Sequence, residues 1–413
     1  MSTSDSTLLS REFSGLSSAA SSGAVLDGYA HSVMNTFGTP KRVFVRGEGC
    51  FLWDADGRRY LDLLSGLAVN SLGHAHPTVI SAITSQIATL GHVSNFFATP
   101  AQVALASRLT ALTGASDARV FFANSGTEAN EAAFKITRMT GRTKIISTEG
   151  AFHGRSIGSL AITHNPKYRE PFVPLPGEVI FVPYGDPDAL AAAADDEVAA
   201  VVLEPIQGEN GIVVPPPGYL ARARELCDQH GALLWIDEVQ TGMGRAGCWL
   251  VHVADGVGAD IVTVAKGLGN GFPIGACIAA GRAAHLLGPG THGSTFGGNP
   301  VAAIAGLAVM GVIERDGLLD NAITLGEHLV SAVTGLQHRL ITGVRGRGLL
   351  RGIILAVPIA PAVADAALNA GFVINAPCPD VLRLAPPLVI SAELLDSFVA
   401  ALPGLIDGVG EAP

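Results

Sequence analysis

The chain has 413 residues, 48% of them apolar, so it can bury a large core and exceeds the size of one average domain. Its formal charge is -10 and Lys and Arg form no block or stripe, which leaves no electrostatic footprint for nucleic acid or an anionic membrane. Five scattered cysteines without a CxxC pair suggest neither a disulfide framework nor a zinc knuckle, and they fit a reducing, cytoplasmic setting.

The first 23 residues are rich in Ser, Ala and Gly, with no basic start leading into an apolar run. They read as a flexible tail rather than a secretory signal. A single Arg beside Asp5 and Glu12 also makes a poor transit peptide. No apolar stretch escapes interruption by Gly, Pro or charge long enough to cross a bilayer, so a soluble protein is expected.

Residues 24–76 contain RGEGCFLWDADGRRYLDLLSG, hairpin-like around its Asp-Gly turn, and are expected to pack with the C-terminal part of the chain. In GHAHP, His74 and His76 lack a nearby third ligand and read as loop-packing residues rather than metal ligands.

Between about 118 and 280, the runs ARVFFA, KIIST, EVIFVP, AAVVLEP, ALLWIDE, ADIVTVA and IGACIAA recur with helical or loop segments between them. That cadence predicts strands buried on both faces of a largely parallel α/β sheet, in a large domain spanning 77–300. PGYLARARELCDQHG is a helix stopped by Gly231. From 301 to 413 a second, smaller domain follows: helix-like VAAIAGLAVMGVIE, strand-like GVRGRGLLRGIILAV and helix-like LLDSFVAALPGLIDGV. The GxGxxG-like GRGLLRG lacks a strand-then-helix frame and reads as structural.

Ligands of open α/β sheets bind beyond the carboxyl ends of the strands, and four strand ends carry chemistry. In RVFFANSGTEANEAAFKITR a strand gives way to a helix at Asn124-Ser125-Gly126, with Ser125 and Glu128 at capping-box spacing. Free N–H groups at Gly126 and Thr127, with the Thr127 hydroxyl, would cradle a phosphate; the same pattern would also serve an ordinary capped helix. In ALLWIDEVQTGMGR, Asp237 and Glu238 follow five apolar residues, and a carboxylate at the lip of a buried strand must be paired or useful, although Asp237 could be a plain helix cap.

In ADIVTVAKGLGNGFPIGA, Lys266 stands two residues past a strand and ahead of a Gly-rich loop. Desolvation there yields the neutral amine that condensation with an aldehyde requires, whereas a surface lysine would snorkel. In HGSTFGGNP, Ser294 and Thr295 offer hydroxyls from a loop that could approach a phosphate. Together these supply a phosphate cradle, an acid for a ring nitrogen, an amine for an aldehyde and a second hydroxyl donor. Those are the parts of a pyridoxal-phosphate site.

LAVNSLGHAHP, FFANSGTEANEAAFK, AFHGRS, EPIQGE, DEVQTGMGR, AKGLGNGFPIGA, HGSTFGGNP and RLAPPL, in that order, make the chain resemble the class III, or ornithine-type, aminotransferases from about residue 35 to the end. The resemblance implies the fold type I architecture of pyridoxal 5'-phosphate (PLP) enzymes, with a large PLP-binding domain and a small α+β domain built from the N- and C-terminal segments. It places the cofactor on Lys266, its phosphate on Gly126 and Thr127, its ring between Phe152 and Val239, its nitrogen on Asp237 and its phenolic oxygen near Gln240, with Glu238 among the cofactor residues. Thr295 would reach the phosphate across a homodimer interface. Arg155 would hold a substrate carboxylate, Ser294 would lie near the substrate, and Arg383 would meet the α-carboxylate of glutamate, covered by Glu209 when glutamate is absent.

The implied reaction moves the terminal amino group of N2-acetyl-L-ornithine to 2-oxoglutarate, a step of arginine biosynthesis. Ornithine, succinylornithine, succinyl-diaminopimelate and 4-aminobutyrate are alternative donors, and a non-catalytic binding protein of the same fold is a second alternative, against which the intact Lys266 and Asp237 speak. Two positions depart from the family pattern: Asn210, where a small residue is common, and Asn270, within what is usually a Gly run.

Overall fold

The computed structural model describes residues 21–410. Most of the expected N-terminal tail lies outside them, but its last two residues, Ser22 and Gly23, open a helix, Ser22–Ser32, whose N-cap Ser21 accepts from the Ala24 N–H.

Three short antiparallel strands follow: β1 (Phe44–Glu48), β2 (Phe51–Asp54) and β3 (Arg59–Asp62). The Asp-Gly turn closes the second hairpin, with Asp54 Oδ1 accepting from the Asp56 and Arg58 N–H groups. Past β3 the chain makes a left-handed turn: Ser65, Gly66, Leu67 and Ala68 all have φ between 52° and 69°. Three of these are not glycine, a conformation that costs on the order of 1–2 kcal/mol per residue. Asp62 holds the turn in place. Its Oδ1 accepts from Leu64 N (3.0 Å) and Ser65 N (2.8 Å), while its Oδ2 lies 2.7 Å from His74 Nε2. His74 thus braces a loop.

The central seven-stranded sheet comprises β4 (Arg119–Ala123), β5 (Lys144–Thr148), β6 (Glu178–Val182), β7 (Val198–Leu203), β8 (Leu233–Asp237), β9 (Ile261–Val264) and β10 (Gly275–Ala279), in the spatial order 4-10-9-8-7-5-6. Strands β5 to β9 pair in parallel and β10 runs antiparallel to both neighbours. Every residue of β5, β7, β8, β9 and β10 is buried, as expected of a sheet covered on both faces. One face packs Ala132, Phe134, Ile136, Ile145 and Trp235; the other packs Ile146, Val201, Leu220, Leu226 and Leu234. Tyr219–His230 is the expected helix, stopped by Gly231 in the left-handed conformation.

Beyond helices Pro300–Arg315 and Leu318–Gly335, β11 (Ile341–Arg347) and β12 (Leu350–Leu355) form a hairpin, so GRGLLRG is a strand–turn–strand element. β13 (Phe372–Val373), β14 (Asn375–Cys378) and β15 (Val381–Leu384) complete two four-stranded sheets, ordered 11-12-15-14 and 1-2-3-13. The second sheet joins the two ends of the chain through the parallel β3–β13 pair. The same cluster buries Leu61, Leu63 and Leu72 with Leu325, Leu329, Ile353, Phe398 and Leu402. Helix Pro300–Arg315 belongs to two cores at once, giving Val309, Val312 and Ile313 to this cluster and Ala302, Ala303 and Met310 to the core beside β9 and β10.

Candidate active site

A cavity of about 390 Å³ opens at the carboxyl ends of the parallel strands. Gly126, Thr127, Phe152, Arg155, Glu209, Asp237, Val239, Gln240 and Lys266, nine of the residues singled out in the sequence, all line it.

On one wall stands the start of helix Gly126–Arg138. Ser125 is its N-cap, with extended φ/ψ and Oγ accepting from Glu128 N at 3.3 Å. The reciprocal bond of the box is displaced by one residue, since Glu128 Oε2 accepts from Asn124 N (2.7 Å) and Asn124 Nδ2 (2.8 Å). As the first two helical residues, Gly126 and Thr127 have N–H groups without intrahelical partners. Both residues line the cavity, at the positive end of the helix dipole. A Cβ on Gly126 would lie 2.7 Å from Val239 Cγ1, so only glycine lets the two walls meet this closely. Thr127 Oγ1 and Ser156 Oγ are 2.6 Å apart.

Asp237 ends β8 and is 4% exposed, and both of its carboxylate oxygens are engaged. Oδ1 accepts from Val239 N (2.9 Å), and Oδ2 accepts from Asn130 Nδ2 (2.9 Å) and lies 2.7 Å from His153 Nδ1. Burial disfavours a charged His153, but the bond to Asp237 outweighs it and raises the imidazole above its ordinary value. His153 and Asn130 together clamp the Asp237 carboxylate from one side.

The structure corrects one expectation: Glu238 turns away from the cavity. Its Oε1 takes His252 N (3.0 Å) and sits 2.9 Å from His252 Nδ1, while its Oε2 accepts from the Thr241 hydroxyl. Successive residues at a strand end face opposite ways, so Asp237 and Glu238 could not both enter one cavity.

Lys266 opens a 3-10 turn two residues past β9, with a positive φ of 43° that aims it at the cavity. Among the described residues no group is hydrogen-bonded to its Nζ. Burial pushes its amine below the usual lysine value, against the opposing pull of Asp237, Glu209 and Glu204. Asn270, in the following loop, accepts from Leu72 N (2.7 Å) and donates to Gly73 O (3.0 Å), fastening the lysine loop to the left-handed turn, from which Val69 enters the cavity. Asn210 donates to Gln207 Oε1 at 2.9 Å and packs where a Cβ on Gly150 would be 2.2 Å away.

The two arginines occupy unlike settings. Arg383, on β15, is 1% exposed; its Nη1 donates to Glu209 Oε1 (2.6 Å) and Gln240 Oε1 (3.3 Å), and its Nε to Asn375 Oδ1 (3.0 Å). Burial works to raise the Glu209 carboxyl, but the guanidinium wins and holds it below its ordinary value. Arg155 is exposed, pairs with no carboxylate among the described residues, and lies with Cζ 3.5 Å from the centre of the Tyr168 ring.

Ser294 meets the rim through its Oγ, which accepts from Asn124 Nδ2 at 3.3 Å. Within one chain Thr295 is not brought to Gly126; it lines a separate cavity with His92, Phe96 and Phe122. Three residues went unassigned in the sequence: His153 and Asn130, which clamp Asp237, and Glu204. The latter is 5% exposed, accepts from Phe152 N at 3.0 Å and is pushed up to about 7 by burial. Both His153 and Glu204 stand in the motif strings AFHGRS and EPIQGE, but nothing local shows that they converge.

These residues fit PLP: free N–H groups at a helix start for a phosphate, a clamped buried carboxylate for a ring nitrogen, and an unpaired amine with a lowered pKa for an aldehyde. Comparison with known proteins agrees. The class-III aminotransferase family model matches residues 33–406. The acetylornithine aminotransferases of Mycolicibacterium smegmatis and Streptomyces coelicolor are 57% and 56% identical to this chain, covering 92% of it and 97% and 94% of their own lengths. Among solved structures, the N-acetylornithine aminotransferase of Stenotrophomonas maltophilia superposes with a TM-score of 0.80 at 34% identity over 93% of this chain and 98% of its own. The ornithine aminotransferase of Toxoplasma gondii gives 0.91 at 31% over 97% and 98%. The chain belongs to the class-III aminotransferases and is a PLP-dependent transaminase.

Proposed function

We propose that the chain transfers the terminal amino group of N2-acetyl-L-ornithine to 2-oxoglutarate, as a cytoplasmic enzyme of arginine biosynthesis. Likeness over nearly the whole length to acetylornithine aminotransferases supports the donor. The geometric observation that carries the reading is one cavity lined by an unpaired lysine, a free arginine and Glu209, the carboxylate that covers Arg383 behind it.

When bound, PLP supplies an aldehyde that condenses with amines and a ring that withdraws electrons. Gly126 and Thr127 would hold its phosphate, Phe152 and Val239 would flank its ring, and Gln240 would lie toward its phenolic oxygen. Asp237, clamped by His153 and Asn130, would pair with the ring nitrogen. Lys266 would attach the cofactor through its aldehyde, and its Nζ, whose pKa burial lowers, would take up and return the proton that the transfer moves.

A donor whose reacting amine is terminal presents its carboxylate far from the reacting carbon, whereas glutamate presents its α-carboxylate close by. Arg155 receives the first and Arg383 the second, each through the planar fork that suits carboxylates. Glu209 covers Arg383 while the donor is bound and gives way to glutamate; Ser294 completes the rim near the substrate.

We further infer a homodimer in which Thr295 completes the phosphate site of the other subunit. The reading draws support from Phe96 (91% exposed), Phe97 (65%) and Phe296 (59%), large apolar rings beside Thr295 that a monomer would leave in water. The division into a 77–300 domain and a smaller one made from 24–76 and 301–413 draws support from the shared β3–β13 sheet. No helix among the described residues is long and apolar enough to cross a membrane.

The test is a half-reaction. Protein loaded with PLP is mixed with N-acetylornithine, ornithine or 4-aminobutyrate, and conversion of the lysine-bound cofactor to its aminated form is followed by absorbance. Fastest conversion by N-acetylornithine is expected; faster conversion by another ω-amine would replace the donor proposed here.

A further inference from the structure

We propose that Tyr168 is the residue that positions Arg155 for capture of the donor's distant carboxylate. The proposal rests on the reading of Arg155 as that carboxylate's anchor. A long, exposed arginine with no anionic neighbour would ordinarily sweep many rotamers, and about 2 kcal/mol of side-chain entropy opposes fixing it. Here the guanidinium is laid on a ring, with Cζ 3.5 Å from the Tyr168 centroid and 5.6 Å from that of Phe152. Those two rings stand edge to face, 6.3 Å apart at 86°, and form a corner that the arginine fills.

The contact consumes only the flat face of the guanidinium. Its N–H donors all lie in the plane, so stacking leaves the bidentate edge free, whereas a carboxylate partner such as the one on Arg383 would occupy it. Tyr168 therefore orients without competing. Its own placement is rigid. It sits on the short helix Pro166–Arg169, capped by Asn165 Oδ1 on Lys167 N (3.1 Å), and its N–H donates to Asn165 O (3.1 Å). The adjacent Arg169 lies 4.6 Å from the ring centre of Phe181 on β6, which His164 also contacts at 5.2 Å, so the segment is pinned to the central sheet on the far side of Tyr168.

Phe152 closes the geometry from below, because it faces the same cavity as Lys266. One aromatic corner thus links the wall of the proposed cofactor site to the proposed carboxylate anchor, fixing the distance between reacting carbon and captured carboxylate. That distance is what separates a donor with a terminal amine from one with an α-amine, so Tyr168 acts on donor choice rather than on bond breaking.

The experiment compares half-reactions of the PLP-loaded enzyme and its Tyr168→Leu, Tyr168→Phe and Arg155→Ala variants, with N-acetylornithine and with N-acetyl-1,4-diaminobutane, which lacks the carboxylate. Tyr168→Leu should raise the half-saturating N-acetylornithine concentration about two- to fivefold, the worth of a cation–π contact at an exposed site. The limiting rate and the response to the carboxylate-free amine should be unaltered, and Tyr168→Phe should restore wild-type behaviour because the ring face is kept. A merely structural role would move the carboxylate-free amine together with N-acetylornithine and would overturn the proposal. An unchanged N-acetylornithine response in Tyr168→Leu, beside a large loss in Arg155→Ala, overturns it while leaving Arg155 as the anchor. An unchanged response in Arg155→Ala removes that underlying reading and the proposal with it.

Discussion

The two arginines on either side of the site use the same side chain in opposite ways. Arg383 is enclosed on β15, behind the cavity residues Glu209 and Gln240, and its Nη1 and Nε already donate to Glu209, Gln240 and Asn375. Arg155 is exposed, rests on an aromatic face and keeps its donors unspent. One wall is electrostatically satisfied and must be opened before it can bind; the other is open and has only to be aimed. A guanidinium can be held ready by a competing anion or by a ring, and the choice sets whether binding is an exchange or a simple addition.

The largest expected effect removes what both walls serve. Lys266→Ala should lower turnover at least about 10³-fold in both half-reactions, as loss of a positioned acid–base group does, and single-turnover absorbance checks it. If one half-reaction survived, the walls would not share a reaction centre. Next, Arg383→Ala should depress kcat/KM for glutamate by about 10- to 150-fold, the worth of charge-assisted hydrogen bonds, while changing the N-acetylornithine half-reaction far less. Equal losses would erase the distinction between the walls.

A smaller effect sharpens it. Glu209→Gln should lower the half-saturating glutamate concentration by about five- to tenfold, because a neutral amide yields Arg383 more readily than a carboxylate does. In the parent enzyme the Glu209 carboxyl lies below its ordinary value, so the stability its ion pair contributes is present above the unfolded-state value and is lost only as pH falls through the lower, folded one. Glu209→Gln should remove that acid-limb loss, as thermal melts between pH 3 and 6 will show.

The effect with the least bearing on the two arginines is on stability alone and belongs to Glu204. Glu204 is pushed up from 4.5 to about 7 by burial, so the folded state binds its proton more tightly than the unfolded chain. Its contribution to stability is therefore largest below the unfolded value and declines as pH rises toward 7, by ~3 kcal/mol at most. Glu204→Gln should flatten this decline in protein without added cofactor, measured as melting temperature against pH; an unchanged slope would mean that the carboxyl is ionised throughout.

What the sequence disclosed followed from covalent neighbours. Lys266 and Asp237 stand at fixed offsets from apolar runs, and a strand end is enough to place them on the ligand side of the sheet. Gly126 and Thr127 were legible through the cap that precedes them. Glu238 was misread because adjacency in sequence means divergence at a strand end. The clamp on Asp237 escaped because His153 is 84 residues away and Asn130 is 107 away. Likewise β10 reads as one more buried strand, since burial on both faces erases the alternation that would distinguish it, and only pairing shows that it runs antiparallel. The left-handed turn at Ser65–Ala68 had no local signal at three of its four positions; Asp62 imposes it from before the turn.

Glu209 has a further consequence. Tethered to the same chain and 2.6 Å from Arg383, it behaves as a resident ligand whose effective concentration does not fall when the enzyme is diluted. Every carboxylate bound at Arg383 is therefore measured after displacement of this occupant, and the observed affinity is the intrinsic one divided by the strength of the internal pair. The site thereby tolerates a guanidinium of high intrinsic carboxylate affinity without being saturated by whatever dicarboxylate is most abundant.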